Sequence, residues 1–458
     1  MCSSDLIAGL LLERYGATKQ GVWKAVIVSG ILFGMAHLTN LIGADPVGVF
    51  VQCVVAGMMG MAFAAIYFRS GNIWVVVFLH GFSQTHVSGT GGGQKYGNIL
   101  IQPCLKSQEL NENIIPQRRI GETIDLGYYA CTYKNGIQTE ITTAERCAFY
   151  RLTYPERGRL VVDASWFLGR DTIPDKREAQ QFEGSHIKVV SSQSIEGWSR
   201  VRGGWNNGDA YTVYFSLLSD VPFTVESTNE KLCLVAFSSE KVNLKIGVSF
   251  LSCEKARANI ASCSFNEQLS TLKSEWQRML SRLRYQGTER NMRMFYTALY
   301  HTMLMPVNRT GENPKWTDTP YYDDYYAIWD TYRTSTPLLG VYYPEIQRDI
   351  VNSLLNIYKN EGYMPDARSG DCNGRTQGGS HGEVVIADAF ARGLKGIDYE
   401  LALKAMIKDA EVPPADDEKE GRGGHNERFS RVFNITGDYD CLCNSIWIMC
   451  FLCCELYS

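Results

Sequence analysis

The chain has 458 residues, of which 45% are apolar and 21% charged, enough to build two or three ordinary cores. A net charge of −4, a pI near 6.0 and the lack of any Lys/Arg block argue against nucleic acid as a partner. Of its 14 cysteines, Cys441, Cys443, Cys450, Cys453 and Cys454 crowd the last 18 residues without matching histidines, so neither a zinc ribbon nor a disulfide framework is expected.

Residues 1–80 are apolar and poor in charge. Val47–Phe68 runs 22 residues without a charge, and about 20 span a bilayer. Ala56, Gly57, Gly60, Ala62, Ala64 and Ala65 would let such helices pack closely in lipid. The expectation is a short membrane-spanning helical segment, with a buried soluble hairpin as the other reading. A cleavable signal peptide is excluded by the lack of a short basic start, a single apolar core and a small-residue cleavage site.

Residues 81–270 change character. Ser88–Gly93 reads SGTGGG and is not a phosphate loop, because no Gly-Lys-Ser/Thr ending and no helical pattern follow it. Short β-type runs then alternate with turn residues: Arg159–Ala164, His186–Val190, Tyr211–Ser216, Leu232–Phe237 and Val242–Phe250. This spacing predicts an antiparallel β-sandwich.

Residues 271–424 show helical periods, at Gln268–Leu283, Glu289–Met305, Tyr325–Tyr342, Pro344–Asn360, Gly382–Leu394 and Asp398–Asp409. Apolar residues recur at three and four, as in Ile350, Leu354, Leu355 and Tyr358. Short links predict a partial α/α toroid, joined to the sandwich near 265–290 with Trp276 as an apolar anchor. Residues 425–458 lose any clear period and read as an aberrant tail.

The densest chemistry lies at 316–333, WTDTPYYDDYYAIWDTYR. One reading is a sugar site, with rings to stack on sugar faces beside carboxylates to accept hydrogen bonds from sugar hydroxyls. The bland alternative is an aromatic helix start capped by Asp323 or Asp324.

Two resemblances follow from the motifs. In the first piece, Phe33-x-x-x-His37 in ILFGMAHLTN, the run QCVVAGMMGMAFAAIYFRSGNIW and His80 in VVVFLHGF resemble the CAAX-protease and bacteriocin-processing intramembrane metalloproteases. The resemblance implies His37 and His80 as ligands of a metal such as zinc. The family's paired glutamates would fall at Ser3 and Ser4 and its arginine at Ala8, so the base for a metal-bound water is missing.

From about Gly81 to Gly424 the chain resembles glycoside hydrolase family 92, calcium-dependent inverting exo-α-mannosidases. The resemblance rests on GFSQTHVSGTGGGQKYGNILIQP, Glu140-Ile141-Thr142 with Arg146, FYTALYHTMLMP, IWDTYRTSTPLL, GYMPDARSGDCNGRTQGGSHGEVVIADAF and KGIDYELALKAMIKDAEVPP. It implies that Trp329 and Asp330 line the subsite for a terminal mannose, with Arg333 orienting Asp330. Gln84, His86 and His381 are second-rank pocket residues, and Glu383 and Asp388 read as solvated or capping. The implied cofactor is calcium, the partners are α-mannosides or mannose-bearing glycans, and the setting is exported. The family's acid and base lie later than the match, and no later motif here resembles them, so the catalytic residues stay unassigned. A weakly active or inactive mannosidase is therefore expected. A CAAX-type protease with an appended domain and a non-catalytic chimera are the alternatives. The unlike pieces, the opening Cys2-Ser3-Ser4-Asp5-Leu6 and the tail lead to the expectation that both ends arose by an assembly or frame error.

Overall fold

The computed structural model describes residues 19–35, 50, 53–54, 97–108, 119–167, 180–203, 209–325, 328–365, 367–373 and 381–412. The chain divides into two compact units, Met1–His86 and Val87–Ser458.

In the first unit the main described element is helix α1, Lys19–Met35. Ala25 and Val26 are buried, while Trp23, Ile27, Val28, Ile31 and Met35 are exposed. Among the described residues no helix is long and apolar enough to cross a membrane. The expected span Val47–Phe68 lies outside the described residues except for Phe50, Cys53 and Val54, and so do His37 and His80.

The second unit begins as two antiparallel sheets. The smaller has the order β1 (Leu100–Leu105), β6 (Gly158–Asp163), β11 (Leu232–Phe237) and β10 (Phe223–Thr228). The larger runs β2 (Arg119–Asp125), β3 (Tyr128–Tyr133), β4 (Gln138–Thr143), β5 (Cys147–Thr153), β12 (Lys241–Ser249), β9 (Tyr211–Ser219), β8 (Ser194–Gly203) and β7 (Gln180–Ser191). Leu160, Val162, Cys233 and Val235 of the small sheet meet Leu152, Ile195, Phe215, Leu217, Leu244 and Ile246 of the large one in a single core. Each such aliphatic side chain contributes about 1.5–3 kcal/mol on burial. This is the sandwich that the strand-sized runs predict.

The last sandwich strand ends at Ser249, and helices begin almost at once. α2 (Cys253–Ala258) starts on Ser252, whose side chain accepts from the Lys255 N–H. It lies so close to β12 that a Cβ on Gly247 would stand 2.0 Å from the Ala256 carbonyl oxygen. α3 (Phe265–Leu280) opens with a full capping box between Ser264 and Glu267. α4 (Glu289–Thr302) follows, then a small hairpin of β13 (Val307–Asn308) and β14 (Tyr322–Asp323). The remaining helices are α5 (Ile328–Thr331), α6 (Ser335–Tyr342), α7 (Pro344–Glu361), α8 (His381–Ala391) and α9 (Tyr399–Glu411). Ile350, Val351, Leu354, Leu355 and Ile357 of α7 form the spine of their core, against Leu339, Val385, Ile386, Leu403 and Met406. The four-residue register of α7 puts these side chains on one face.

Two expectations change. The single helix expected over Tyr325–Tyr342 is two helices, α5 and α6. Pro337 has no N–H and its ring would strike the carbonyl of Arg333 in a continuous helix, while Tyr325 is held in an isolated antiparallel bridge with Arg368. Asp323 and Asp324 cap no helix: the first is in β14, and the second has φ 53°.

Trp276 packs edge-on against Tyr300 of α4, with centroids 4.7 Å apart. The apolar joint to the sandwich is made instead by Phe265 on Cys147 and Phe149. Polar groups complete it. Glu312, buried, accepts from Ser249 Oγ (2.6 Å), the Phe250 N–H (2.9 Å) and Asn259 Nδ2 (2.8 Å). Arg146 donates to the carbonyls of Asn308 and Thr310 on either side of Arg309.

Candidate functional site

Helix α5 and the turn after it carry the residues singled out from the sequence. Asp330 and Arg333 are exposed, and the Arg333 N–H donates to the Asp330 carbonyl at 3.4 Å. The Arg333 guanidinium lies 5.2 Å from the Tyr332 ring centre. Tyr332 in turn stacks on His381, the first residue of α8, with centroids 4.6 Å apart. His381 is only 8% exposed and its Nδ1 has no hydrogen-bond partner. Burial, and then the Arg333 charge, push its imidazole down to about 4, so the ring is neutral at pH 7.

The structure thus places Arg333 near His381, on either side of the Tyr332 ring, with Asp330 three residues before Arg333. Trp329 lies in α5, with its side chain outside the described residues, as are Gln84 and His86. Glu383 is buried, which corrects its reading as a solvated residue, and Asp388 pairs with Arg392 at 2.7 Å.

The same unit holds a buried charged cluster with no local sequence pattern. Arg309 donates to Asp323 at 2.5 Å and to Asp371 at 3.2 Å, with its guanidinium 3.6 Å over the Phe250 ring of the sandwich. Arg368, fully buried, donates both terminal nitrogens to Glu361 (2.7 and 2.8 Å) and one of them to Asn373. Tyr321 Oη donates to Asp371, Lys315 Nζ to the Asp371 carbonyl, and Trp316 Nε1 to Glu361. The N–H groups of Gly370 and Asp371 both point at Asp323 Oδ2. Burial drives the Glu361 carboxyl up, but Arg368 outweighs it and holds the group below the usual carboxylate range. Such closed networks fix one arrangement of the chain, because a lone buried charge is costly. The one legible signal was Asp323-Asp324, which read equally well as a cap.

This cluster does not suit calcium, which takes 6–8 oxygen ligands. Three of its carboxyl groups, those of Asp323, Glu361 and Asp371, are already engaged by guanidinium groups. Among the described residues no group of three or more His, Cys, Asp or Glu side chains is placed to hold a metal ion. The described residues do not fit the calcium that the resemblance implies, and no chemical step is derived through it.

The described residues of the second unit thus form an antiparallel sandwich followed by packed helices, with an aromatic and acidic stretch on the helices. The models for the N-terminal and catalytic domains of glycosyl hydrolase family 92 match residues 59–257 and 252–433, and the chain belongs to that family. The model for the type II CAAX prenyl endopeptidase Rce1-like family matches residues 6–85, so the two resemblances overlap over 59–85 rather than meeting at residue 80.

A similar curated protein is an uncharacterized secreted glycosidase of the fungus Arthroderma benhamiae, 27% identical over 407 residues, 79% of this chain and 50% of that protein. Among solved structures, a family 92 inverting mannosidase of Bacteroides thetaiotaomicron superposes with a TM-score of 0.62 at 23% identity, over 74% of this chain and 48% of its own. A family 92 α-mannosidase of the same organism gives 0.60 at 24%, over 73% and 50%. The chain spans about half the length of these relatives. The family 92 models cover residues 59–433, far more of the chain than the 6–85 matched by the protease family.

Proposed function

We propose that this chain recognises terminal α-mannose as part of an exported, inverting exo-α-mannosidase of the family it belongs to. Residues 81–270 serve as the sandwich domain and 271–424 as the toroid part. The observation that carries the reading is the exposed pair Asp330 and Arg333 set beside the neutral imidazole of His381. Asp330 accepts hydroxyl protons of the sugar, Arg333 donates to its oxygens, and Trp329 offers a ring to its C–H face. Gln84 and His86, outside the described residues, remain second-rank candidates for sugar contact. A similar family 92 α-mannosidase was solved with mannoimidazole, which supports the choice of sugar.

Inversion needs an acid and a base about 6.5–9.5 Å apart, and neither role is assigned to a described residue. The test is an NMR titration with methyl α-mannoside, together with hydrolysis of an aryl α-mannoside with and without a calcium chelator. Saturable binding lost in Asp330→Ala supports the reading. Absence of binding, or affinity and mannose release untouched by Asp330→Ala, overturns it.

A further inference from the structure

Among the described residues, the cluster sets four carboxyl groups against three cations. Arg309, Lys315 and Arg368 are the cations, and Asp323, Asp324, Glu361 and Asp371 are the carboxyl groups. Guanidinium bonds reach Asp323, Glu361 and Asp371. Asp324 is bonded by an uncharged group, as Ser369 Oγ donates to its Oδ1 at 2.5 Å. Only 6% of Asp324 is exposed, so an ionised carboxylate there is poorly solvated and burial favours the neutral acid. Burial first, and then the Asp323 charge, push Asp324 up to about 7. Asp371 acts in the same direction, while Ser369 and Arg309 act against it.

The backbone gives a second, independent observation. Asp324 and Asp371 have φ of 53° and 57°, a region non-glycine residues seldom enter. Such conformations persist where the surroundings hold them in place, and they gather at functional sites. Ser369 and Asp371 lie on the loop after α7, whereas Asp324 ends the hairpin that leads into α5. The Asp324–Ser369 bond therefore ties that loop to the segment that presents Trp329 and Asp330.

We propose that Asp324 is a positioning residue of the sugar site: it stands in the fold as the neutral acid, and its bond with Ser369 sets the course of the chain into α5. Loss of its proton tightens the Ser369 bond but places a further anion beside Asp323 and Asp371, and the repulsion among the three carboxylates strains the segment that enters α5. The groups facing it are Asp323 from β14, Arg309 from the turn after β13, Ser369 and Asp371 from the loop after α7, and Tyr211 from β9 of the sandwich. The effect on sugar affinity rests on the reading of Asp330 as a sugar contact; the effect on α5 does not.

The experiment compares the whole chain with Asp324→Asn, a neutral mimic of the protonated acid, and with Asp324→Ala. Methyl α-mannoside affinity and amide hydrogen exchange over 328–334 are measured from pH 5.5 to 8.5, with exchange corrected for its intrinsic pH dependence. Above pH about 7 the wild type is expected to lose up to tenfold in affinity per pH unit and to lose protection over 328–334. Asp324→Asn should keep the low-pH affinity and protection throughout, and Asp324→Ala should be weak and unprotected at every pH. A flat wild-type exchange profile, or an Asp324→Asn profile that tracks the wild type, overturns the proposal. If the wild type binds no mannoside at any pH, the mannose reading falls alone, and the exchange profiles still decide the role of Asp324.

Discussion

Tyr332 lies against His381 with ring planes 28° apart, so a neutral imidazole is part of the wall behind Asp330 and Arg333. Burial, helped by Arg333, brings its midpoint to about 4 from an ordinary 6.5. The sign follows from the lower folded value. The contribution to stability is complete above about 6.5 and is lost as pH falls through the folded midpoint near 4. Imidazole NMR should show no protonation between pH 8 and 5.5, and a midpoint near 6.5 in the folded protein would contradict the assignment. His381→Phe should keep the stack and erase this stretch of the pH–stability curve.

Asp330→Ala should lower affinity for methyl α-mannoside at least tenfold, since hydrogen bonds to a charged group contribute about 1.5–3 kcal/mol each. Its exposure predicts little change in melting temperature. Calorimetry and a melting curve on the same sample separate the two effects, and a large fall in melting temperature would mark Asp330 as structural.

Arg368→Met should cost about 3–5 kcal/mol in urea unfolding, because Glu361 would be left half-buried without its guanidinium. Glu361→Gln should cost less, as an amide can still accept from Arg368. Equal losses in the two variants would show that the charge matters less than the shape of the site.

Gly247→Ala should destabilise by about 1–3 kcal/mol, since the new Cβ meets the Ala256 carbonyl and α2 must move off β12. A circular dichroism melt reads this directly. An unchanged melting temperature would mean that α2 shifts freely.

Leu232–Phe237 is a strand at the bounds its sequence predicts, and α7 departs from its expected end by one residue. These runs were legible because periodicity and burial agree. The break between α5 and α6 was signalled by Pro337 but masked by the apolar pattern around it. For the site, Asp330, Arg333 and His381 could be named from the sequence, while their grouping through Tyr332 could not. Arg309 and Arg368 were beyond reach, because their partners at 323, 361 and 371 lie 14, 7 and 62 positions away and share no period. Ion pairs closed by loops have no local pattern, whereas helices and strands do.

Glu312 reaches back across the seam to Ser249, Phe250 and Asn259, on both sides of the stretch where the two family domains meet at 252–257. That meeting point marks ancestry rather than mechanical independence. A cut there leaves the end of the last sandwich strand without the carboxylate that satisfies it, and leaves Arg309 without the ring of Phe250 beneath it. Sandwich and helices should therefore melt together in a single calorimetric peak, and a sandwich expressed alone should be the less soluble half.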